Sequence, residues 1–196
     1  ANLDAQASAA YHMAGGLHLR GALHESALRA ALSRIVGRHE ALRTRFMSEG
    51  GEPVQVIDPP QAFVMPNEDL RGQPQAIFQA RCAAEAQAPF DLARGPLIRA
   101  RLLRLADQEH VLLVTLHHIV GDAWSLGVLT RELTELYRAF VLDQADPLPP
   151  LAIQYADYAL WQRSPRQAQR IAEQLAYWRT QLEDAPPLLN LTLDRP

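Results

Sequence analysis

Residues 97–116, LIRARLLRLADQEHVLLVTL, constrain this chain more than any other stretch. Two apolar-rich runs, 97–105 and 110–116, read as strands, and ADQE between them reads as a tight turn. The second run decides the architecture. Residues 111–116 hold no charge and no proline, the pattern of a strand buried on both faces and central in its sheet. Such a strand needs cover on two sides, and the rest of the chain can supply it. Residues 24–38 place Leu28, Ala31, Leu32, Ile35 and Val36 at helical spacing, and 124–141 place Leu126, Leu129, Leu133, Leu136, Tyr137 and Phe140 on one helical face. Residues 74–88 are Ala-rich and begin with Pro74, which suits a first helical turn. Two more helices are predicted at roughly 152–163 and 165–183. Residues 16–20 alternate as a short strand ending at Gly21. Residues 43–48 and 53–58 form a hairpin about Gly50–Gly51, and 59–73 form a loop. The fold class is therefore α/β: a mixed sheet covered by helices.

With 196 residues, 48% of them hydrophobic, the chain can bury a sizeable core as one domain or at most two small ones. A net charge of −3, with arginines scattered apart from Arg38, Arg43 and Arg45, argues against a nucleic-acid partner. Cys82 is the sole cysteine, so neither an internal disulfide nor a multi-cysteine metal site is available, and a reducing, cytoplasmic setting fits. Set among alanines, Cys82 reads as a small packing group. Residues 1–20 lack the pattern of a secretion signal, and the apolar stretch 111–120 is too short to span a bilayer, so no membrane partner is expected. Both ends read as cuts in something longer: the first residue is not methionine, and APPLLNLTLDRP (185–196) has the composition of a linker.

The chemistry concentrates where the central strand ends, in LLVTLHHIVGDAWSLGVL (112–129). Apolar order stops at His117. In open α/β sheets, reactive groups sit at strand ends, where loops open into a crevice. Adjacent residues of an extended segment point in opposite directions, so at most one of His117 and His118 faces a shared cavity while the other turns into the fold. Asp122 has three roles open to it: capping the following helix, holding a histidine in one tautomer, or forming an internal ion pair. A histidine beside an apolar strand is also a common satisfied core group. Adjacent histidines plus one aspartate lack the spacing of a zinc site, and no metal is expected. Ser125 has no glycine-framed elbow, which excludes the usual serine nucleophile.

Three segments together carry a family resemblance. HHIVGDAWS (117–125) resembles the HHxxxDGWS motif of condensation domains from nonribosomal peptide synthetases. RHEALRTRF (38–46) resembles that family's RHExLRTxF segment, and YADYALWQ (155–162) its YxDYAxWQ segment. The phrases PFDLARGPLIRARLLRL (89–105) and QLAYWRTQLED (174–184) fit as well. A bare HxxxD also occurs in coenzyme-A-dependent acyltransferases of the same broad fold, but the other two segments favour the peptide synthetase branch.

The resemblance implies a chloramphenicol-acetyltransferase-like lobe: residues 1–184 as the N-terminal lobe, and 185–196 as the start of a linker toward a C-terminal lobe that is absent here. It implies amide formation between a thioester donor and an aminoacyl acceptor. Both would arrive on phosphopantetheine arms of upstream donor and downstream acceptor carrier-protein domains, with no cofactor bound by the lobe itself. His118 matches the active-site histidine. His117, Asp122 and Arg43 match structural support; the family's aspartate is held in an ion pair with an arginine, for which Arg43 is the local candidate and the missing lobe the other source. Gly121, Ala123, Trp124 and Ser125 are candidates for the tunnel lining.

The lobe alone is expected to be inactive, with an apolar face that permits self-association. The alternatives are a coenzyme-A-dependent acyltransferase fragment and a non-catalytic carrier-protein docking lobe. Ala123 departs from the motif, which has glycine there. A Cβ at positive φ costs about 1–2 kcal/mol, so a negative φ is expected. His39 reads as a fixed internal group, and Tyr155, Asp157 and Trp161 as packing and hydrogen-bonding anchors. His12, His18, His24 and His110 show no converging pattern.

Overall fold

The computed structural model describes residues 10–186. Its compact parts are two, one running to Gln154 and the other beginning at Tyr155. In the first, strands β1 (His12–Arg20), β2 (Thr44–Glu49), β3 (Glu52–Ile57), β4 (Asn67–Asp69), β5 (Ile98–Ala106) and β6 (Glu109–His117) are joined by helices α1 (Glu25–Arg38), α2 (Gln75–Gln87) and α3 (Ala123–Val141). The second holds α4 (Tyr155–Gln162) and α5 (Pro165–Gln181).

The central strand behaves as its composition dictates. The four-stranded sheet has the order β1-β6-β5-β4. β6 pairs antiparallel with β1 on one side and β5 on the other, while β4 runs parallel to β5, so the sheet is mixed. Along β6, alternate residues serve opposite cores. Leu112 and Leu116, with Ile98, Ala100 and Leu102 of β5, meet Leu28, Leu32 and Ile35 of α1 and Leu133 and Leu136 of α3. Val111 and Leu113, with Leu103, meet Leu70 and the partly buried Phe78 and Cys82 of α2. Burial pushes the Cys82 thiol above its ordinary value, which suits a packing role. Leu102, Leu112 and Leu116 are wholly buried, and each such side chain contributes about 1.5–3 kcal/mol to the folded state.

Three elements differ from the expectation. β1 begins at His12 rather than at residue 16, because its ladder with β6 continues through Gly15↔Val114 and Gly16↔Leu113. Glycines have weak strand propensity, so pairing with a buried partner extends the strand where the residues themselves do not. β4 lies inside the presumed loop, three polar residues made into a strand only by parallel pairing with Leu102–Arg104. Residues Glu40–Arg43 form a 3₁₀ turn, so the small hairpin starts at Thr44. Gly50 and Gly51 join its strands with φ of 61° and 92°, values that favour glycine at both central positions.

In the second part, YADYALWQ is the whole of α4, shorter than the span predicted. Its rings meet at a tilt along one stripe, Tyr155 with Tyr158 at 5.7 Å and Tyr158 with Trp161 at 5.5 Å. Pro165 occupies the start of α5, where a missing N–H costs nothing. Among the described residues, no helix is long and apolar enough to cross a membrane.

Candidate active site

β6 ends at His117, and His118 opens the turn that follows. His117 is 3% exposed, whereas His118 lies on the surface in the turn that follows. The backbone is pinned on several sides: His117 N–H donates to the Leu97 carbonyl (3.0 Å), His118 N–H to the Tyr11 carbonyl (2.8 Å), and Val120 N–H to the His117 carbonyl (3.1 Å). The His117 ring closes the turn, its Nδ1 accepting the Ile119 N–H at 3.1 Å. Removal from water holds the His117 imidazole below its ordinary pKa, and the charges of His12 and His118 push it the same way. His117 is thus a buried imidazole bonded into the turn, and His118 is the imidazole exposed at the surface.

Of the three roles open to Asp122, the structure shows the helix cap. Asp122 Oδ1 accepts the Ser125 N–H at 2.8 Å and the Ser125 hydroxyl at 2.7 Å, while Ser125 Oγ accepts the Asp122 N–H at 3.2 Å. This reciprocal capping box starts α3 immediately beyond the histidine turn. The Ser125 bonds hold the Asp122 carboxyl below the usual carboxylate range, and the nearby His118 charge adds to this. The pairing of Asp122 with Arg43 is corrected. Arg43, at the end of the 3₁₀ turn, donates to the Asp58 carbonyl and to Glu40 (3.2 Å) across the small hairpin. Its contacts serve that hairpin, not the histidine loop.

Ala123 takes the first helical position, and among the described residues Asp143 is the sole non-glycine with positive φ. The glycine of the motif is therefore dispensable here for backbone reasons. A Cβ on Gly121 would meet only ordinary contacts at 3.5–3.6 Å with Met13, Ser125 and Leu116. Around His118 the chain presents apolar surface: Trp124 is 84% exposed, with Ile119 and Leu126 partly so. That patch is the kind of surface that meets a ligand or another protein face.

The RHE segment is a structural lock. Arg38 and Glu132 are buried together, Glu132 accepting Arg38 Nε at 3.2 Å and bonding His39 Nε2 at 2.6 Å. Arg38 also donates to the Pro149 carbonyl. Gln154 holds the Arg38 carbonyl at 3.0 Å and the Glu40 N–H at 3.1 Å. His39 is a fixed internal group. Arg45 forks onto Asp58 (2.7 and 2.9 Å), which raises the guanidinium and lowers the carboxyl.

One residue of the site was not legible in the sequence. His12 faces His117 across the β1–β6 ladder, with ring centroids 6.1 Å apart. Phe90 meets both rings nearly at right angles, at 5.0 and 6.0 Å, and Tyr11 stacks on His117 at 6.2 Å. The weak strand formers Ala14, Gly15 and Gly16 conceal the strand that brings His12 there.

The family model of the condensation domain matches residues 2–196. The chain belongs to the condensation-domain family. It is 45% identical over 188 residues to malpinin synthetase of Mortierella alpina, covering 95% of this chain and 2% of that protein. It is 44% identical over 193 residues to part of the linear gramicidin synthase of Brevibacillus parabrevis, covering 96% of this chain and 4% of that one.

Among solved structures, the X-domain from teicoplanin biosynthesis superposes with a TM-score of 0.81 at 34% identity, covering 95% of this chain and 42% of that one. The starter condensation domain of rhizomide synthetase RzmA gives 0.80 at 26%, covering 92% and 44%. The condensation-domain chain therefore spans less than half of the solved structures it matches and a few per cent of the large synthetases. Its mixed sheet under helices is the chloramphenicol-acetyltransferase-like lobe.

Proposed function

We propose that this chain is the histidine-bearing N-terminal half of an amide-forming condensation domain, with His118 as the group that handles the acceptor amine. The observation that carries the reading is the division of labour at the end of β6: His117 buried and bonded to the turn, His118 turned outward on a pinned backbone. Donor and acceptor arrive as thioesters on the phosphopantetheine arms of upstream and downstream carrier-protein domains, so the reading calls for no resident cofactor. An α-amine has a pKa near ~8 and must shed a proton to attack. The His118 imidazole takes that proton or hydrogen-bonds the attacking nitrogen. The new C–N bond forms at the donor carbonyl, the C–S bond breaks, and the departing thiolate takes up a proton.

Such assistance is worth about 10²–10⁴ in rate. A thioester is already activated, so holding two tethered substrates in register matters at least as much. Asp122 contributes by fixing the start of α3, and Gly121, Ala123, Trp124 and Ser125 flank the approach to His118. The second lobe supplies the opposite wall of the corridor, so the lobe alone is inactive. A synthetase with this composition works in the reducing cytoplasm.

The test uses loaded donor and acceptor carrier proteins with a two-lobed domain carrying this chain. His118→Ala lowers amide formation by about 10²–10⁴; unchanged turnover sinks the assignment, and turnover by the 196-residue chain alone sinks its inactivity. A second reading, a partner-recruiting module, is favoured by the likeness to the X-domain, which has been solved in complex with OxyB. Under it, His118→Ala leaves every measured property of the domain unchanged.

A further inference from the structure

Two nitrogens beneath the histidine turn are buried without a partner, His12 Nε2 and His117 Nε2. Their residues are opposite each other in the β1–β6 ladder, and the bonds made by the other ring nitrogens fix both tautomers. His12 Nδ1 lies 2.9 Å from the Ala86 carbonyl oxygen, which only accepts. Nδ1 therefore carries the hydrogen and Nε2 the lone pair. His117 Nδ1 lies 3.1 Å from the Ile119 N–H, which only donates. There the lone pair is on Nδ1 and the hydrogen on Nε2. One unmatched donor thus stands across from one unmatched acceptor, in rings 6.1 Å apart and inclined at 67°. Buried polar groups are nearly always paired.

We propose that His12 is a positioning residue of the acyl-transfer site: its Nε2 lone pair receives the Nε2–H of His117 through one bridging water, and so holds His117 in the tautomer whose Nδ1 anchors the Ile119 amide behind His118. The chain of contact runs from β1 through His117 to the turn, without His12 touching substrate. The catalytic consequence rests on the role given to His118 above; the tautomer match does not. A proton on either ring ends the match, because it replaces the needed lone pair with a second N–H. The titratable or charged groups around the pair are Tyr11 stacked on His117, His118 in the next position, and Arg99, whose guanidinium lies 3.8 Å over the Phe90 ring and bonds Glu85 at 3.0 Å.

Long-range ¹⁵N–¹H spectra of this chain at neutral pH test the assignment. The expected pattern is His117 protonated on Nε2 and His12 on Nδ1. His12→Phe keeps a ring against Phe90 but removes the acceptor; His117 then becomes a mixture of tautomers and the Ile119 amide exchanges about tenfold faster. His12→Gln, with an amide oxygen in place of the lone pair, restores both readouts toward wild type. Wild-type spectra with His117 protonated on Nδ1, or His12 on Nε2, overturn the proposal. So does a folded His12→Phe with wild-type His117 tautomer and Ile119 exchange. If His12→Phe does not fold, the wild-type tautomers still decide. In a two-lobed domain, His12→Phe moves the acid limb of the pH–rate profile upward. His118→Ala leaves the His117 tautomer as it was, so failure of the catalytic reading and failure of this one are told apart.

Discussion

Glu132 is the residue whose loss should be felt most widely. Its carboxylate faces Arg38 and His39, and the side chains of Arg38 and Glu132 are only 6% and 10% exposed. Replacing Glu132 with methionine keeps most of the volume and leaves the Arg38 guanidinium buried, bonded to the Pro149 carbonyl and with the Asp146 carboxylate as a weaker neighbouring charge. Breaking one side of a buried pair costs about 3–5 kcal/mol, because the remaining charge is neither solvated nor matched. His39, with a fifth of its side chain open to solvent, rehydrates more easily. With a urea dependence of about 2 kcal/mol per molar, a loss near ~4 kcal/mol lowers the denaturation midpoint by about 2 M. Far-UV circular dichroism of the chain against urea reads this directly. The double replacement Arg38→Met with Glu132→Met should return most of the loss, since an apolar pair of similar volume has no desolvation penalty to offset. A single variant that costs under about 1 kcal/mol, or a double variant worse than the single, would refute the idea that the cost lies in an orphaned charge.

Other outcomes follow from the same geometry. Ala123→Gly, which restores the family motif, should lower helix stability by up to about 1 kcal/mol, because Ala123 already sits in a helical conformation; a raised melting temperature would contradict this. Leu112→Ala should cost about 2–5 kcal/mol, since the side chain is wholly buried in the layer under α1 and α3; urea titration gives the value. His117 has a native pKa below that of the unfolded chain, so the unfolded state takes up the proton first. Its contribution is fully present above about 6.5 and is lost as pH falls below that toward the native value. The melting temperature of wild type should therefore drop with acidification through that window, and His117→Phe should flatten the drop.

Much of the frame could be read from the residues because it depends on short-range patterns. The uncharged run 111–116 marked the central strand, and helical spacing in α1 and α3 marked its cover. The expectation that only one of His117 and His118 faces outward holds, although the chain achieves it by ending the strand at His117 and placing His118 in the turn. The failures share a different cause. Asn67–Asp69 has no pattern of its own and is a strand only because β5 offers it an edge. The resemblance pairs Asp122 with an arginine and makes Arg43 the local candidate, but the turn that holds Arg43 directs it to Glu40 and the Asp58 carbonyl. His12 is separated from His117 by more than half the chain, and no local spacing announces their meeting. Asp122 and Ser125, by contrast, stand at the separation of a capping pair, a local signal that the sequence itself carries.

The ladder between β1 and β6 has a consequence for how the protein is made. β1 ends at Arg20 and its partner does not begin until Glu109. At about 5–20 residues per second, a ribosome leaves the first strand waiting several seconds or more for its mate. A strongly β-forming segment left unpaired for that long is a hazard for sticking to neighbours. Ala14, Gly15 and Gly16 make this one a poor adhesive in isolation, and it becomes a strand only when the right partner emerges.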